Sequence, residues 1–439
     1  MPRTPRKLQT RTDYIVLGGG IAGLAALAEA RRRGINAIGL EAKATVGGRI
    51  RTARDRRVAG YPIELGAEFV HGPKMREVCA SLGLTLIRHP SDGAAFVDGQ
   101  FLPLQPILAT FTRIRQRAAD HLAAGRGDRP VEDFLAEFVA SDRSLPPGLT
   151  PHLLLQLVRN DFATRVSELG LLGLVAPDVD GYEDNYRVAE GYDEVPRRLS
   201  AESDVRLNHP ATAVLRYPDE VHVLTPRGVF VGNVVVVCLP LGVLQAGDVT
   251  FDPPLSDGLA AAISALSAGA ATKLVLAFRR TRQGTTFWPP TTPLLATSLA
   301  TQLWWPTGWG QGHDGRRTFL ASCLVGGAAV ARFTDRDPRE VGLVQLAHMF
   351  GRDRVYKKAL RWHRVKAWHA DVRIKGGYSS VPAGVEPEAL APLASCEDES
   401  NPRLVFAGDY AGRHPGSVHS AYQSGIDAVS RAVEARSRR

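Results

Sequence analysis

The chain has 439 residues, 44% hydrophobic and 23% charged, enough to bury two moderate cores and too apolar for a disordered chain. The longest apolar run, VVVVCLPLGVL at 234–244, is too short and too proline-broken to cross a bilayer, so no membrane partner is expected. The net charge of +9 suggests nucleic acid, yet residues 1–12 contribute +4 (Arg3, Arg6, Lys7, Arg11) and residues 431–439 contribute +3, leaving a near-neutral body without a basic, aromatic-interleaved stripe and excluding a nucleic-acid partner.

The first element is read from DYIVLGGGIAGLAALAEARRRGINAIGLEA at 13–42. An apolar strand meets three glycines and continues into a helix of apolar periodicity up to Arg33; a second strand, 37–40, ends in Glu41. Gly18, Gly20 and Gly23 form G-x-G-x-x-G with Ala22 inside it, the pattern that lets backbone approach a pyrophosphate at a helix N-terminus. Glu41 then stands where an acid accepts hydrogen bonds from an adenosine ribose. A second small-residue turn follows at Gly47, Gly48 and Arg49, whose guanidinium is suited to phosphate charge.

The next block, IELGAEFVHG at 63–72, is rich in small residues. From 77 to about 186 the chain reads as helix-rich and proline-punctuated. In AATKLVLAFRR at 270–280, Lys273 interrupts an apolar strand, which is costly unless the ammonium finds a partner. Near the end, VFAGDYAGRHPGSVHSAYQSG at 405–425 stops an apolar run at Gly408 and Asp409 and opens a helix at Ser417 and Val418. Cys79, Cys238, Cys323 and Cys396 lie far apart without a CxxC spacing, so neither a metal site nor a disulfide frame is expected. No apolar segment of signal-peptide length precedes the first strand, which makes cytoplasmic residence the expectation.

Glu41 followed by V-G-G-R resembles the FAD-binding signature of the flavin amine oxidase superfamily, and ELGAEFVHG and VHSAYQSG are closest to the motifs of polyamine oxidases. The resemblance implies an α/β fold: a mostly parallel, Rossmann-like FAD-binding domain (1–76, 200–262, 396–439) interleaved with a mixed α+β substrate domain (77–199, 263–395). It implies that Gly66 and Ala67 bring backbone under the isoalloxazine ring, with Glu68 and His71 near flavin and substrate. Ala211 would meet the adenine, Lys273 would hold a water at flavin N5, Trp368 would pack on the flavin and Tyr378 would face the substrate. Asp409 would reach a ribityl hydroxyl, and Ser417 and Val418 would point N–H groups at the pyrimidine edge.

Two departures from the family pattern carry expectations of their own. Ser417 replaces an aromatic wall, and Gly376 stands in the segment where monoamine oxidases carry a flavin-linking cysteine, so the FAD is expected to be non-covalent. The implied reaction is oxidation of an amine to an imine by hydride transfer to the flavin, with O₂ reduced to hydrogen peroxide. Extended, polyamine-like or secondary amines are the expected substrates, with Glu68 offering a carboxylate to a second ammonium. A monoamine or L-amino-acid oxidase, or a desaturase of a non-amine substrate, is the alternative. The protein is expected to be a monomer or homodimer.

Overall fold

The computed structural model describes residues 9–146, 149–175, 185–279, 287–310, 318–351, 360–398, 402–412 and 415–438. Its first building block is the strand Tyr14–Leu17, buried along its whole length, followed by the helix Ile21–Arg32. Gly18 makes the turn between them at φ +103°, a conformation that disfavours other residues, and a Cβ there would sit 2.6 Å from the Cys238 carbonyl oxygen. Five parallel strands form one sheet in the order Asp204–Arg206, Ala37–Leu40, Tyr14–Leu17, Val234–Val237, Leu404–Phe406. Its central strands are continuous apolar runs because both faces are buried: Val16 and Val236 pack in one core with residues of the first and last helices, and Ile15, Leu17 and Val235 in another with Val214, Val223 and Phe230.

The last helix, Val418–Ser437, packs on the first, Ile21–Arg32. Gly425 makes the contact possible: a Cβ at that position would overlap the carbonyl oxygen of Ala22. Ala22 itself is 5% exposed and lies in this helix–helix seam. The seam brings the N-termini of the two helices, Gly20 and Ser417, to the same side of the parallel sheet.

A second, mixed five-stranded sheet joins Gln9–Arg11, Gly228–Gly232, Val221–Thr225, Ala213–Arg216 and Thr250–Asp252. The largest sheet has seven strands in the order Leu360–Ala367, Ala271–Arg279, Thr318–Gly326, Leu303–Pro306, Leu295–Thr297, Ala94–Val97, Gln100–Pro103. All its pairings are antiparallel except that of Leu295–Thr297 with Ala94–Val97. The architecture is thus α/β with a second sheet layer.

The stretch 77–186 contains the expected helices, Gln105–Ala123, Val131–Ser141, Pro151–Phe162 and Leu171–Val175. It also contains three strands that helical reading passes over: Leu86–His89, Ala94–Val97 and Gln100–Pro103. The last two form a hairpin turned by Asp98 and Gly99, both at positive φ (49° and 82°), the two-residue turn that Asp-Gly favours. The helix Gly72–Ser81 runs across position 76, and its Met75, Val78 and Cys79 pack in the core around Val16 and Val236.

Candidate active site

The glycine turn and the small-residue turn at 47–48 are stitched together. Gly47 N–H donates to Gly19 O at 2.8 Å, and a Cβ on Gly48 would lie 3.3 Å from Gly20 Cα. Glu41 secures the other side of the turn, its carboxylate accepting from Gly19 N–H and Lys43 N–H, both at 2.7 Å. Burial pushes the Glu41 carboxyl up from its ordinary value, against the pull of those hydrogen bonds. Beside it Ala211 lines a small pocket with Ala42, Pro210, Leu239, Pro240 and Arg373.

Gly20 and Gly23 do different things. A Cβ on Gly23 would overlap Gly18 O, so that glycine is needed for helix and strand to meet. A Cβ on Gly20 meets nothing within 4 Å, and Gly20 caps the first helix without a side-chain hydrogen bond. The space in front of the helix N-terminus is open and walled by backbone, which fits a dinucleotide phosphate.

The middle of the site is built on the backbone from Leu65 to Ala67. Leu65 N–H donates to Arg51 O at 2.7 Å and Ala67 N–H to Arg49 O at 3.1 Å, and a Cβ on Gly66 would overlap Arg49 O and approach Trp368 to 2.9 Å. Trp368 is 4% exposed and donates its indole N–H to Leu65 O at 3.0 Å. The ammonium groups of Lys366 and Lys43 lie 4.5 and 5.9 Å from its ring centroid and share Asp371 Oδ2 at 2.6 and 2.9 Å.

Lys273 is the residue that the apolar strand made anomalous, and it has the partner that burial demands. Its Nζ lies 2.5 Å from Glu68 Oε2 and donates to Gly66 O at 3.2 Å, with the Trp305 ring centroid 5.2 Å away. The other Glu68 oxygen lies 2.7 Å from Arg187 Nη2. All three side chains are between 2% and 3% exposed. Burial alone would raise the Glu68 carboxyl; Arg187 and Lys273 together hold it below its ordinary value. The expectation that Glu68 offers its carboxylate to a substrate ammonium is therefore corrected, because both oxygens already face protein cations.

At the closing motif, Arg49 and Asp409 pair with each other in a two-pronged contact at 2.9 and 2.5 Å, and Arg49 also donates to Gly377 O at 2.7 Å. Ser379 adds its N–H and its hydroxyl to Asp409 Oδ2, both at 3.0 Å. Gly408, at φ +155°, is tied to the last helix through Ser424 Oγ, which accepts from Gly408 N–H at 2.9 Å. Ser417 caps that helix, accepting from Ser420 N–H at 3.2 Å, so the N–H of Val418 stands in an open first turn.

Ser417 Oγ also lies 3.2 Å from His419 Nε2, and His419 acts on His71. Burial and then His419 push the His71 imidazole down to about 4, despite its hydrogen bond to Asn185. His89, whose Nε2 lies 3.1 Å from Pro293 O, is pushed down to about 4 by burial and Arg187. Phe69 joins the two imidazoles and Trp305 in one aromatic group, with centroids 6.2, 4.9 and 5.7 Å away. A histidine neutral in the fold and protonated when unfolded costs stability in acid. Stability is expected to be full above the ordinary histidine value of 6.5 and to fall as pH drops from there to about 4. A flat melting temperature over that window would refute the assignment, and His89→Gln should reduce the slope.

Tyr378 donates its hydroxyl to Asn160 O at 2.5 Å, which joins the Gly376–Gly377 segment to the end of the helix Pro151–Phe162. The next residue, Asp161, is exposed, yet surrounding protein pushes its carboxyl up to about 6, the combination found in a recess. Among the described residues no cation lies within ion-pair distance of it, and Arg115 acts on it only from farther off.

The family model for flavin containing amine oxidoreductases matches residues 21–433, nearly the whole chain. The chain belongs to that family. It is therefore an FAD-dependent amine oxidase, and the open, backbone-walled groove at Gly20 is the part of its structure that fits the dinucleotide. Polyamine oxidase 5 of Oryza sativa subsp. japonica is 27% identical over 95% of this chain and 87% of its own length. Two solved structures share the fold: putrescine oxidase bound to putrescine (TM-score 0.77, 17% identity) and cyclohexylamine oxidase from Brevibacterium oxydans (TM-score 0.78, 18% identity). They cover 97% and 98% of this chain, each over 100% of its own length.

Two residues that hold site side chains, Arg187 on Glu68 and Ser379 on Asp409, escaped the sequence, as did the recessed Asp161. Nothing in NYRV or RNDFA marks a charge as buried or recessed; only the tertiary neighbours do. No helix among the described residues is long and apolar enough to cross a membrane.

Proposed function

We propose that this amine oxidase acts on extended amines carrying a second positive charge, and that Asp161 receives that charge. The observation that carries the reading is the recessed Asp161 carboxylate, which accepts only from the Asn160 amide at 3.4 Å and has no ion-pair partner among the described residues, one residue from the carbonyl that holds Tyr378. An ammonium brought beside it lowers its pKa and forms a charge-assisted hydrogen bond that a monoamine lacks. The name of the rice polyamine oxidase agrees with this choice of substrate class.

The same proposal assigns the residue roles, and the geometry supports them. Gly18, Gly20, Gly23 and Gly48 bring backbone to the dinucleotide phosphates, Glu41 the ribose and Ala211 the adenine. Gly408 and Asp409 face the ribityl end, and Arg49, read from the sequence as a phosphate cation, is instead held there by Asp409 and Gly377 O; Gly66, Ala67 and Trp368 support the ring, and Ser417 and Val418 present the helix N-terminus. FAD, when bound, supplies the hydride acceptor and passes the electrons to O₂, giving hydrogen peroxide. Glu68 and Gly66 take two of the three N–H donors of Lys273, and the third is left for a water. His71 stays uncharged and adds no repulsion to an incoming amine, and the aromatic group around Phe69 disfavours the ammonium over the neutral amine that reacts. A Cβ at Gly376 would lie 2.6 Å from Ala268 O, so the backbone there has no room for a thiol side chain, in keeping with non-covalent FAD. Cytoplasmic residence, a monomer or homodimer, and the domain division at 1–76, 200–262 and 396–439 against 77–199 and 263–395 belong to the same proposal.

The test compares kcat/KM for spermine and spermidine with benzylamine and phenethylamine. The polyamines should win in the wild type, and Asp161→Asn should cost them at least about tenfold, roughly 1.4 kcal/mol, while leaving the monoamines within about twofold. Faster monoamines with no Asp161 effect would overturn the substrate class.

A further inference from the structure

The cluster of Arg187, Glu68 and Lys273 has two cations and one carboxylate in a volume closed to water. Buried charge of this kind persists only when each group is held by others, and an unmatched ion costs several kcal/mol. Glu68 is shared between its partners, with one oxygen to each cation, so the three groups carry a net charge of one positive unit. Among the described residues no second carboxylate pairs with either cation, and Nε and Nη1 of Arg187 are buried without a hydrogen-bond partner. Lys273, by contrast, spends two donors within the cluster.

The ionisable neighbours leave the count unchanged on the acid side of neutrality. Glu64, held by Thr52 Oγ1 at 2.6 Å and Tyr192 N–H at 2.8 Å, is pushed up to about 7 by burial, and His89 is neutral. Three separate elements supply the charges: the strand Ala271–Arg279, the strand Asn185–Val188 and the turn after Gly66. Their meeting is a property of the tertiary fold, and Glu68 is the link between them.

We propose that Glu68, Lys273 and Arg187 act as one charge unit, in which Glu68 positions Lys273 and the surplus positive charge felt by the flavin belongs to Arg187 as much as to Lys273. The inference rests on the reading above that Lys273 faces the flavin. It makes Arg187 an electrostatic residue of the site and Glu68 a positioning residue, and it removes Glu68 from substrate recognition.

Sulfite binding to the FAD-loaded protein, followed by the bleaching of the flavin spectrum below pH 7, reads the charge directly. Addition of sulfite leaves negative charge on the ring, which a nearby cation stabilises. Lys273→Met and Arg187→Met each leave a balanced pair that can fold, and each should weaken sulfite binding by a similar factor, about tenfold. Glu68→Gln strands two buried cations and should lower the melting temperature sharply. The doubles Glu68→Gln/Arg187→Met and Glu68→Gln/Lys273→Met restore the net charge and should recover sulfite affinity, while raising the melting temperature only part of the way because one buried cation keeps no carboxylate. A loss confined to one of the two single cation variants, or doubles that stay weak while well folded, would overturn the proposal while leaving Lys273 at the flavin. Unchanged affinity in every variant would overturn the proposal together with the placement of Lys273.

Discussion

Gly20→Val should yield a folded protein that no longer retains FAD, whereas Gly23→Val should fail to fold. The two glycines are three residues apart in one motif, but they serve different parts of the structure. The position of a side chain on Gly20 is free of protein atoms within 4 Å, and its backbone (φ −73°, ψ 178°) suits any residue. Valine therefore fits the apoprotein and fills the groove in front of the helix. At Gly23 the side chain would enter Gly18 O and push the helix off the strand, an overpacking cost of about 3 kcal/mol or more where backbone has to move. Melting of the two apoproteins and FAD titration by flavin fluorescence separate the cases. The expected loss of FAD affinity in Gly20→Val is at least about 100-fold, roughly 2.7 kcal/mol. Wild-type affinity in that variant would show that the phosphates lie elsewhere.

Arg49→Met is expected to destabilise the protein by about 3–5 kcal/mol even without cofactor, because it leaves the buried Asp409 carboxylate without its counter-ion. Ser379 alone would then satisfy it. Against a typical total of about 5–15 kcal/mol this is a large fraction. Arg49→Lys should not rescue, since an ammonium cannot make the two-pronged contact and also reach Gly377 O. Burial alone would raise the Asp409 carboxyl, and the charge and hydrogen bonds of Arg49, with those of Ser379, hold it below its ordinary value of 3.8. The pair's contribution is therefore complete above 3.8 and is lost as pH falls through the lower folded value. Denaturant melts of wild type and Arg49→Met should differ most at neutral pH and converge in acid. A difference independent of pH would show that packing, and not the ion pair, accounts for the loss.

How far the sequence discloses this site depends on the range of the interaction involved. The strand, glycine turn, helix and acid at 14–41 are legible because their physics is local: spacing, backbone freedom and a helix end. Lys273 is legible as an anomaly, since an ammonium in an apolar strand requires a partner, but its partner is not; Glu68 lies 205 residues away in the chain. Glu68 could be read as a free carboxylate only because Arg187 and Lys273 are brought to it by separate strands. Asp161 carries no sequence signal at all, as an acid near a helix end is ordinary on a surface. The hairpin at 94–103 was legible in principle, through its Asp-Gly turn, and was masked by the helical stretches on either side. Strands of three or four residues, such as Leu295–Thr297 and Leu303–Pro306, hold too few alternations to show a period.

The packing of Gly425 on the Ala22 carbonyl also governs when the protein can be made functional. On the ribosome the glycine turn emerges long before the strand Leu404–Phe406 and the helix Val418–Ser437 that flank it. Until then the first helix lacks the neighbour that covers it, and the nascent chain must keep an apolar helix face out of aggregation. FAD insertion is therefore expected to wait until the helix Val418–Ser437 has been made, and active enzyme should appear only after flavin is supplied to chains that already carry it.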